Sequence, residues 1–326
     1  MSGLARERED VAGPAAAGAL DAARFARLLG VAPAALPAPC AALIARADLR
    51  YDVLAGAARD AVLLDALRAL DGDLAVAGRG RIGAWEDGWS DVLARFEAAG
   101  CRPEALWPHY LLPKRRVVRL EGEYVRPRAA TFEQDFVRVM QAWLATTFLA
   151  DVPAVYEFGC GPGHNLVAFA RLRPDRRYVG LDWATASQRI LARAGAALGL
   201  PLEGRRFDMT APDPELRLEP GAGVVTFGAL EQLGTGFEPF LDFVRAARPA
   251  VCVHLEPVHE LYDTDVLFDW VAARYAERRG YLRGYLTRLR ALAAEGRAEI
   301  LHCRKHLGSR YHDGWVGLVW RPRGGG

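Results

Sequence analysis

The sequence predicts an α/β fold whose mainly parallel sheet has seven strands and helices on both faces. From residue 131 onward, short apolar segments typical of strands alternate with segments whose apolar residues recur at helical spacing, and this alternation indicates βαβ units. The last two predicted strands follow one another directly, so we expect a C-terminal β-hairpin at the sheet edge. The predicted strands are 154–158, 178–181, 203–207, 223–227, 250–255, 299–304 and 315–320.

The residues before this sheet follow a different pattern. Residues 1–18 are rich in alanine, glycine and charge, and we expect them to be disordered. Residues 19–128 contain short helical segments broken by prolines and then a cluster of aromatic residues, which we interpret as a mostly helical cap domain. The α/β domain is predicted at 129–326, with a helical insertion at 261–296.

Composition and charge exclude several classes of protein. The 42 basic and 40 acidic residues leave a net charge of +2, so no global charge indicates DNA or a membrane surface. Lys114 and Lys305 are the only lysines, and so strong an arginine bias is typical of a GC-rich bacterial genome. The five cysteines have no paired spacing, which supports neither a disulfide framework nor a zinc ribbon. With no signal peptide or long apolar run in the sequence, we predict a cytoplasmic protein.

A glycine-rich turn follows the first predicted strand of the α/β domain. Gly159, Gly161 and Gly163 let the backbone turn sharply and lie against a ligand, while the next helix offers free N–H groups to negative atoms. A dinucleotide fingerprint requires a small residue at the position of His164. The sequence therefore disfavours a nicotinamide cofactor.

Two acidic residues end the next two predicted strands. Asp182 lies about twenty residues after the glycine turn, where a carboxylate can accept both hydroxyls of a ribose. Asp208 lies beside Met209, and this pairing suits the amine and ring of an adenine, with Trp183 available for the other face of the ring. The pattern indicates an adenosine-containing ligand.

The ordered set of Glu157 with the glycine turn, Asp182, Asp208 and the strand end at 227–234 resembles the class I S-adenosylmethionine-dependent methyltransferases over about 131–260. The resemblance implies a Rossmann-like fold and S-adenosylmethionine as cofactor. It places Glu157 and the glycines at the methionine part, Asp182 at the ribose, Asp208 at the adenine amine and Phe227 near the ring. The expected cofactor-binding residues are Glu157, Gly159, Cys160, Gly161, Gly163, Asn165, Asp182, Trp183, Asp208, Met209 and Phe227.

The chain departs from this family at one position, because members usually carry Thr or Ser where this chain has His164. That side chain could cap the helix or face the carboxylate of the cofactor. The fourth strand also lacks the Asn/Asp-Pro-Pro-Tyr sequence that holds planar amino groups in related enzymes, and no paired-glutamate loop of arginine methyltransferases is evident. Methylation of adenine, glutamine or arginine is therefore disfavoured.

Candidate catalytic residues lie at the ends of the fourth and fifth strands. Glu231 follows the fourth strand, and alternation along the fifth places His254 and Glu256 on one side. A histidine beside a carboxylate suits a general base for a hydroxyl or amine acceptor. The same pair could instead only anchor a loop. A metal site formed with His259 lacks a further clearly placed ligand, and no metal is predicted.

Candidate substrate-binding residues lie in the C-terminal third of the chain: His259, Tyr281, Tyr285 and His312. Six arginines interleaved with tyrosines at 274–290 suit a lid that binds a phosphate or carboxylate, an RNA-binding surface, or a solvated helix face. His312 lies in a segment that could line the acceptor pocket or form an Asp-Gly turn.

Together, these features predict methyl transfer to an oxygen or nitrogen atom of a small polar metabolite, such as a sugar or a natural-product intermediate. A near-neutral charge and an appended N-terminal region favour a small-molecule acceptor over nucleic acid or a membrane. The alternatives are an RNA or protein methyltransferase and a catalytically inactive, cofactor-binding partner subunit. Homo-oligomer formation is left open.

Overall fold

A computed structural model of the protein describes residues 16–324, in which one eleven-stranded mixed sheet forms the centre of the fold. The strands are β1 (Ala17–Ala19), β2 (Arg50–Val53), β3 (Val118–Leu120), β4 (Glu123–Pro127), β5 (Ala154–Phe158), β6 (Arg177–Asp182), β7 (Leu202–Arg206), β8 (Gly223–Phe227), β9 (Val251–Glu256), β10 (Ala298–Ser309) and β11 (Trp315–Pro322). The helices are α1 (Ala22–Leu29), α2 (Ala38–Arg46), α3 (Gly56–Asp71), α4 (Ile82–Ala98), α5 (Phe132–Thr147), α6 (His164–Leu172), α7 (Thr185–Leu198), α8 (Glu238–Ala247), α9 (Leu267–Arg279) and α10 (Tyr285–Ala294).

The C-terminal two-thirds of the chain form the predicted parallel sheet. Strands β7, β6, β5, β8 and β9 are neighbours in that order and pair in parallel, which is the 3-2-1-4-5 order of a Rossmann-like sheet. The hairpin of β10 and β11 joins antiparallel to β9. All seven predicted strands are present with ends shifted by a few residues. The α/β prediction is confirmed.

The predicted count of seven strands is wrong for the sheet as a whole. Strand β10 extends to Ser309, and its end pairs antiparallel with β3, which continues the sheet through β4, β2 and β1. The β3–β4 hairpin turns at Glu121 and Gly122, whose φ angles of 51° and 82° are those of a tight primed turn. Four short strands that the sequence analysis did not predict therefore occupy this edge.

The N-terminal region thus combines four helices, α1 to α4, with these four short strands. Of the segment predicted to be disordered, residues 1–15 lie outside the described part of the chain, whereas Ala17 and Gly18 belong to β1. Helix α2 packs on α5, α3 on α9 and α4 on α7, so these N-terminal helices lie against helices of the C-terminal part of the chain. The domain boundary at 128 stays a prediction. Within residues 16–324, no helix is long and apolar enough to cross a membrane.

A buried arginine connects the N-terminal strands to the insertion. Arg119 of β3 is fully buried, and its guanidinium donates to Asp313 Oδ2 at 3.2 Å, to Asp269 Oδ1 at 3.0 Å and to the carbonyl oxygen of Phe268 at 2.8 Å. Lys305 Nζ lies 2.6 Å from the second oxygen of Asp269. These contacts join β3, α9, β10 and the turn before β11 into one polar network.

Candidate active site

A cleft lies at the carboxyl ends of β5, β6 and β8, where the glycine turn forms its floor. Gly159 and Gly161 have φ angles of 68° and 50°, in the left-handed region that favours glycine. A Cβ atom at Gly159 would lie 2.4 Å from Ala229 Cβ, and one at Gly161 would lie 2.8 Å from the Trp89 ring. Side chains at these positions would close the cleft, which explains the glycines.

Glu157 presents an unsatisfied oxygen in this cleft. Its Oε1 accepts from Asn165 Nδ2 at 2.7 Å, and Asn165 Oδ1 in turn accepts from Gln141 Nε2 at 2.7 Å. Its Oε2 is buried without a hydrogen-bond partner among the described residues. Burial raises the pKa of Glu157 to about 8. A ligand ammonium group at this place would provide the missing partner and favour the ionised carboxylate.

Asp182 lies at the carboxyl end of β6 and fixes the glycine turn. Its Oδ2 accepts the Gly161 N–H at 2.8 Å and its Oδ1 accepts the Ala184 N–H at 2.8 Å. Burial raises the pKa of Asp182 to about 6. The carboxylate also lines the cleft, where its remaining lone pairs can accept hydroxyl groups of a ligand.

Aromatic residues of the N-terminal region close one side of the cleft. Trp85 and Trp89 of α4 stack with ring centroids 5.4 Å apart. Between them in sequence, Glu86 accepts the backbone N–H groups of Thr185 at 2.6 Å and Ala186 at 3.0 Å, at the N-terminus of α7. An acidic side chain is stabilising at that end of a helix. This contact holds α4, and therefore both tryptophans, against the cleft.

The structure brings together nine of the eleven predicted cofactor-binding residues. Gly163 does not line the cleft: it precedes α6 with a φ of 70°, and a Cβ there would lie 2.4 Å from Leu191 Cδ2. Asp208 also lies outside the cleft wall, since it is paired with Arg79 and accepts the Thr210 N–H at 2.8 Å. The nine that line the cleft are Glu157, Gly159, Cys160, Gly161, Asn165, Asp182, Trp183, Met209 and Phe227.

A second cavity adjoins the cleft. The two share Trp85, Tyr110, Gly228 and Gln232 as wall residues, so they lie side by side. Tyr110 is 44% exposed because it faces this space, and the sequence analysis did not select it, Trp85 or Trp89 as site residues. Tyr281 and His312, which were predicted to bind substrate, line the second cavity.

Glu231 also lines the second cavity, next to the shared wall. Its Oε1 accepts from Gln232 Nε2 at 3.0 Å, and Gln232 belongs to both spaces. Burial, together with the nearby Glu256 carboxylate, raises the pKa of Glu231 to about 8. A carboxylate with a pKa close to neutral can exchange a proton with a bound ligand.

His254 is not placed as a general base. It is fully buried, its Nδ1 lies 2.9 Å from Thr226 Oγ1, and its Nε2 accepts the Trp320 indole N–H at 3.0 Å. Burial lowers the pKa of His254 to about 3. Both ring nitrogens are occupied by neighbours and neither cavity includes the residue, so its predicted catalytic role is corrected to a structural one. Tyr285, whose hydroxyl lies 3.3 Å from His254 Nε2, is likewise buried away from both cavities.

Glu256 anchors a loop, which is the alternative that the sequence left open. Its carboxylate accepts the backbone N–H groups of Ala229 at 2.9 Å, Leu230 at 3.0 Å and Glu231 at 3.2 Å. It therefore fixes the turn that carries Glu231. His259 lies outside both cavities, with its Nε2 3.3 Å from Glu277 Oε1.

Replacement of His254 tests this correction. We expect His254→Ala to lower the free energy of unfolding by about 2 to 3 kcal/mol, because the buried Thr226 hydroxyl and Trp320 N–H lose their partner. Urea unfolding followed by circular dichroism measures the change. We expect the pH profile of turnover to have the same shape in His254→Ala as in the wild type. If the variant lacks an ionisation that the wild type shows, His254 is a general base after all.

Comparison with known proteins gives matches by structure alone, since the chain matches no family profile and no curated protein sequence. The [4+2]-cyclase SpnF is 15% identical with a TM-score of 0.50, over 77% of this chain and 98% of SpnF. The chain has the fold of SpnF. This likeness concerns the fold alone, and it agrees with the Rossmann-like order of the parallel strands.

Methyltransferase structures also resemble the chain over a shorter span. The N,N-8-amino-8-demethyl-D-riboflavin dimethyltransferase RosA from Streptomyces davawensis is 17% identical with a TM-score of 0.40, over 59% of this chain and 57% of RosA. The O-methyltransferase NcsB1 from neocarzinostatin biosynthesis, in complex with S-adenosylmethionine, is 19% identical with a TM-score of 0.38, over 58% of this chain and 57% of NcsB1. The chain spans less than two-thirds of the length of either protein, whereas it covers nearly all of SpnF.

Proposed function

We propose that the protein transfers a methyl group from S-adenosylmethionine to an oxygen or nitrogen atom of a small polar metabolite in the cytoplasm. The observation that carries the proposal is the shared wall between the two cavities. The first has the features of a cofactor cleft at the carboxyl ends of parallel strands, and the second adjoins it across Gly228 and Gln232. A methyl group held in one space would thus face an acceptor held in the other.

The residues of the cleft fit the proposed cofactor. The unpartnered Glu157 oxygen suits its ammonium group, and Asp182 suits its ribose hydroxyls. His164 lines the same cleft, and its buried Nδ1 has no hydrogen-bond partner within residues 16–324, which supports contact with the cofactor carboxylate over the helix-capping alternative. When bound, the cofactor supplies a methyl group on a positively charged sulfur, so the chain must bind and align the two reactants, exclude water and remove the proton of the acceptor.

The assignment of the adenine ring differs from the family expectation. Asp208 is held by Arg79 outside the cleft wall, so we do not assign the adenine amine to it. Trp183 and Met209 line the cleft and supply a flat aromatic face and a polarizable thioether, as a ring requires. We assign the ring to these two side chains.

On the acceptor side, we assign proton removal to Glu231. It lies beside the shared wall, and Glu256 fixes its backbone. Tyr110 belongs to the shared wall itself and is placed to orient the acceptor. In this arrangement, Glu231 would take the proton from the acceptor oxygen or nitrogen as that atom displaces S-adenosylhomocysteine from the methyl carbon.

Asp182→Asn is expected to weaken binding of S-adenosylhomocysteine about 10- to 100-fold, because hydrogen bonds to a charged carboxylate are stronger than those to a neutral amide. Isothermal titration calorimetry measures the dissociation constant. Asp175→Asn, before the opposite end of β6 and exposed there, is the matched control and should bind normally. Equal affinity in both variants would contradict the assignment of Asp182.

The function itself is tested with labelled S-adenosylmethionine and fractionated cell extract. SpnF is by name a [4+2]-cyclase, so the experiment must detect transfer of label and not only cofactor binding. We expect label in the low-mass fraction. Label in RNA or protein would support a macromolecular acceptor, and binding without transfer would support an inactive subunit. Surface ion pairs favour the small-molecule outcome, since Arg274 and Arg288 of the insertion pair with Glu277 and Glu238.

A further inference from the structure

The second cavity contains two arginines without an acidic partner among the described residues. Arg81 and Arg279 both line its wall, and neither forms an ion pair in residues 16–324. The Nε of Arg279 is buried without a hydrogen-bond partner, while its Nη1 lies 3.3 Å from the Tyr275 hydroxyl. By contrast, Arg274 and Arg283 from the same insertion pair with Glu277. Unpaired guanidinium donors in a cavity favour an anionic ligand.

The acidic residues of the cavity do not cancel this charge at neutral pH. Glu133 lies 4.0 Å from Arg116, which also lines the cavity, and burial raises the pKa of Glu133. Burial and Glu256 raise the pKa of Glu231 to about 8, so Glu231 is mostly protonated at neutral pH. Burial keeps His312 neutral, since it lowers its pKa to about 3. The arginines therefore leave the cavity positively charged.

Flat side chains accompany the two arginines. The Arg279 guanidinium carbon lies 5.0 Å from the centre of the Tyr281 ring, and that of Arg81 lies 5.1 Å from the centre of the Trp85 ring. Trp315 and Tyr110 provide further aromatic wall. Stacking on a ring restricts a guanidinium, so less side-chain freedom is lost when it binds an anion. A planar ligand can pack on the same walls.

We propose that the acceptor is a planar aromatic molecule with an anionic group, a carboxylate or a phosphate, that Arg279 and Arg81 bind. This inference rests on the proposed function for the identity of the cavity as the acceptor site. It narrows the substrate class from polar metabolites in general to aromatic anions. It also gives the insertion a role, because Arg279 is the last residue of α9.

Calorimetric titration of the full chain with three naphthalene probes tests the preference. We expect 1-naphthoate or 1-naphthyl phosphate to bind about 10- to 100-fold more tightly than neutral 1-naphthol, because one charge-assisted hydrogen bond contributes a difference of that size. The tighter of the two anions distinguishes a carboxylate from a phosphate. Equal or weaker binding of both anions, or no binding of any probe, would overturn the proposal.

Single substitutions test which side chains cause the preference for an anionic probe. Arg279→Gln should weaken anion binding about tenfold or more and leave 1-naphthol unchanged. Arg290→Gln, an exposed position on α10 outside both cavities, should change neither. If Arg279→Gln fails to fold, Arg81→Gln replaces it. If the folded variant still binds the anionic probes more tightly than 1-naphthol, the assignment of the anion to these arginines is contradicted.

A separate titration with S-adenosylhomocysteine distinguishes the two proposals. Cofactor binding without an anion preference would leave the proposed function standing and reject the aromatic anion. An anion preference without cofactor binding would retain the anion site and reject methyl transfer. Both results are read from the same preparation of folded protein.

Discussion

Glu231→Gln is expected to lower kcat about 100-fold or more, the usual contribution of a positioned general base. The side chain lies beside the wall shared by the two cavities, and Gln preserves its size and its neighbour Gln232 while removing the basic oxygen. Because burial raises the pKa of Glu231 to about 8, the carboxylate is protonated below that pH and ionised above it. Wild-type kcat/KM should therefore rise with pH and level off above about pH 8.

The pH profile separates this role from a structural one. In Glu231→Gln the rise through about pH 8 should disappear, while the affinity for S-adenosylhomocysteine stays within about twofold. Glu238→Gln, on the exposed start of α8, is the matched control and should retain both rate and profile. A profile that still rises in Glu231→Gln would assign the proton transfer to another group, and Tyr110 would be the next to replace.

The sequence predicts the parallel part of the fold because each of its signals is local. The strand 154–158 is a short apolar run, and the glycines after it mark a turn into a helix. Strands β1 to β4 lie outside the alternation of strand and helix segments that identifies the others, and they are only three to five residues long. The charged Arg119 in the centre of β3 also suggests an exposed position, although its partners come from residues about 150 to 190 positions later.

The same distinction applies to the residues that line the cleft. The glycine turn and Asp182 belong to adjoining strand ends, so proximity in sequence places them together. Trp85 and Tyr110 come from a distant segment that only tertiary packing brings to the cleft. Alternation along β9 correctly puts His254 and Glu256 on one side, but every residue of this strand is buried. Periodicity specifies the side of a strand, not whether a cavity lies there.

Arg119→Met is expected to lower the free energy of unfolding by about 3 to 5 kcal/mol, the usual effect of removing one member of a buried ion pair. Methionine fits the apolar part of the space, but it leaves the Asp313 carboxylate, only 6% exposed, without its cation. Asp269 keeps Lys305, so the larger cost arises at Asp313. Urea unfolding measures the loss, and Arg126→Met on the exposed face of β4 is the control.

A second substitution tests whether the unpaired Asp313 carboxylate causes the loss of stability. Asp313→Asn added to Arg119→Met should recover about 1 to 2 kcal/mol, because a neutral amide is less costly to bury unpaired than a carboxylate. No recovery would indicate that the lost packing of Arg119 against Phe268, where the guanidinium carbon lies 3.4 Å from the ring centre, dominates instead. Asp313 lies between His312 and Gly314, which both line the second cavity. The double variant should therefore also weaken ligand binding in that cavity under conditions in which the chain is still folded.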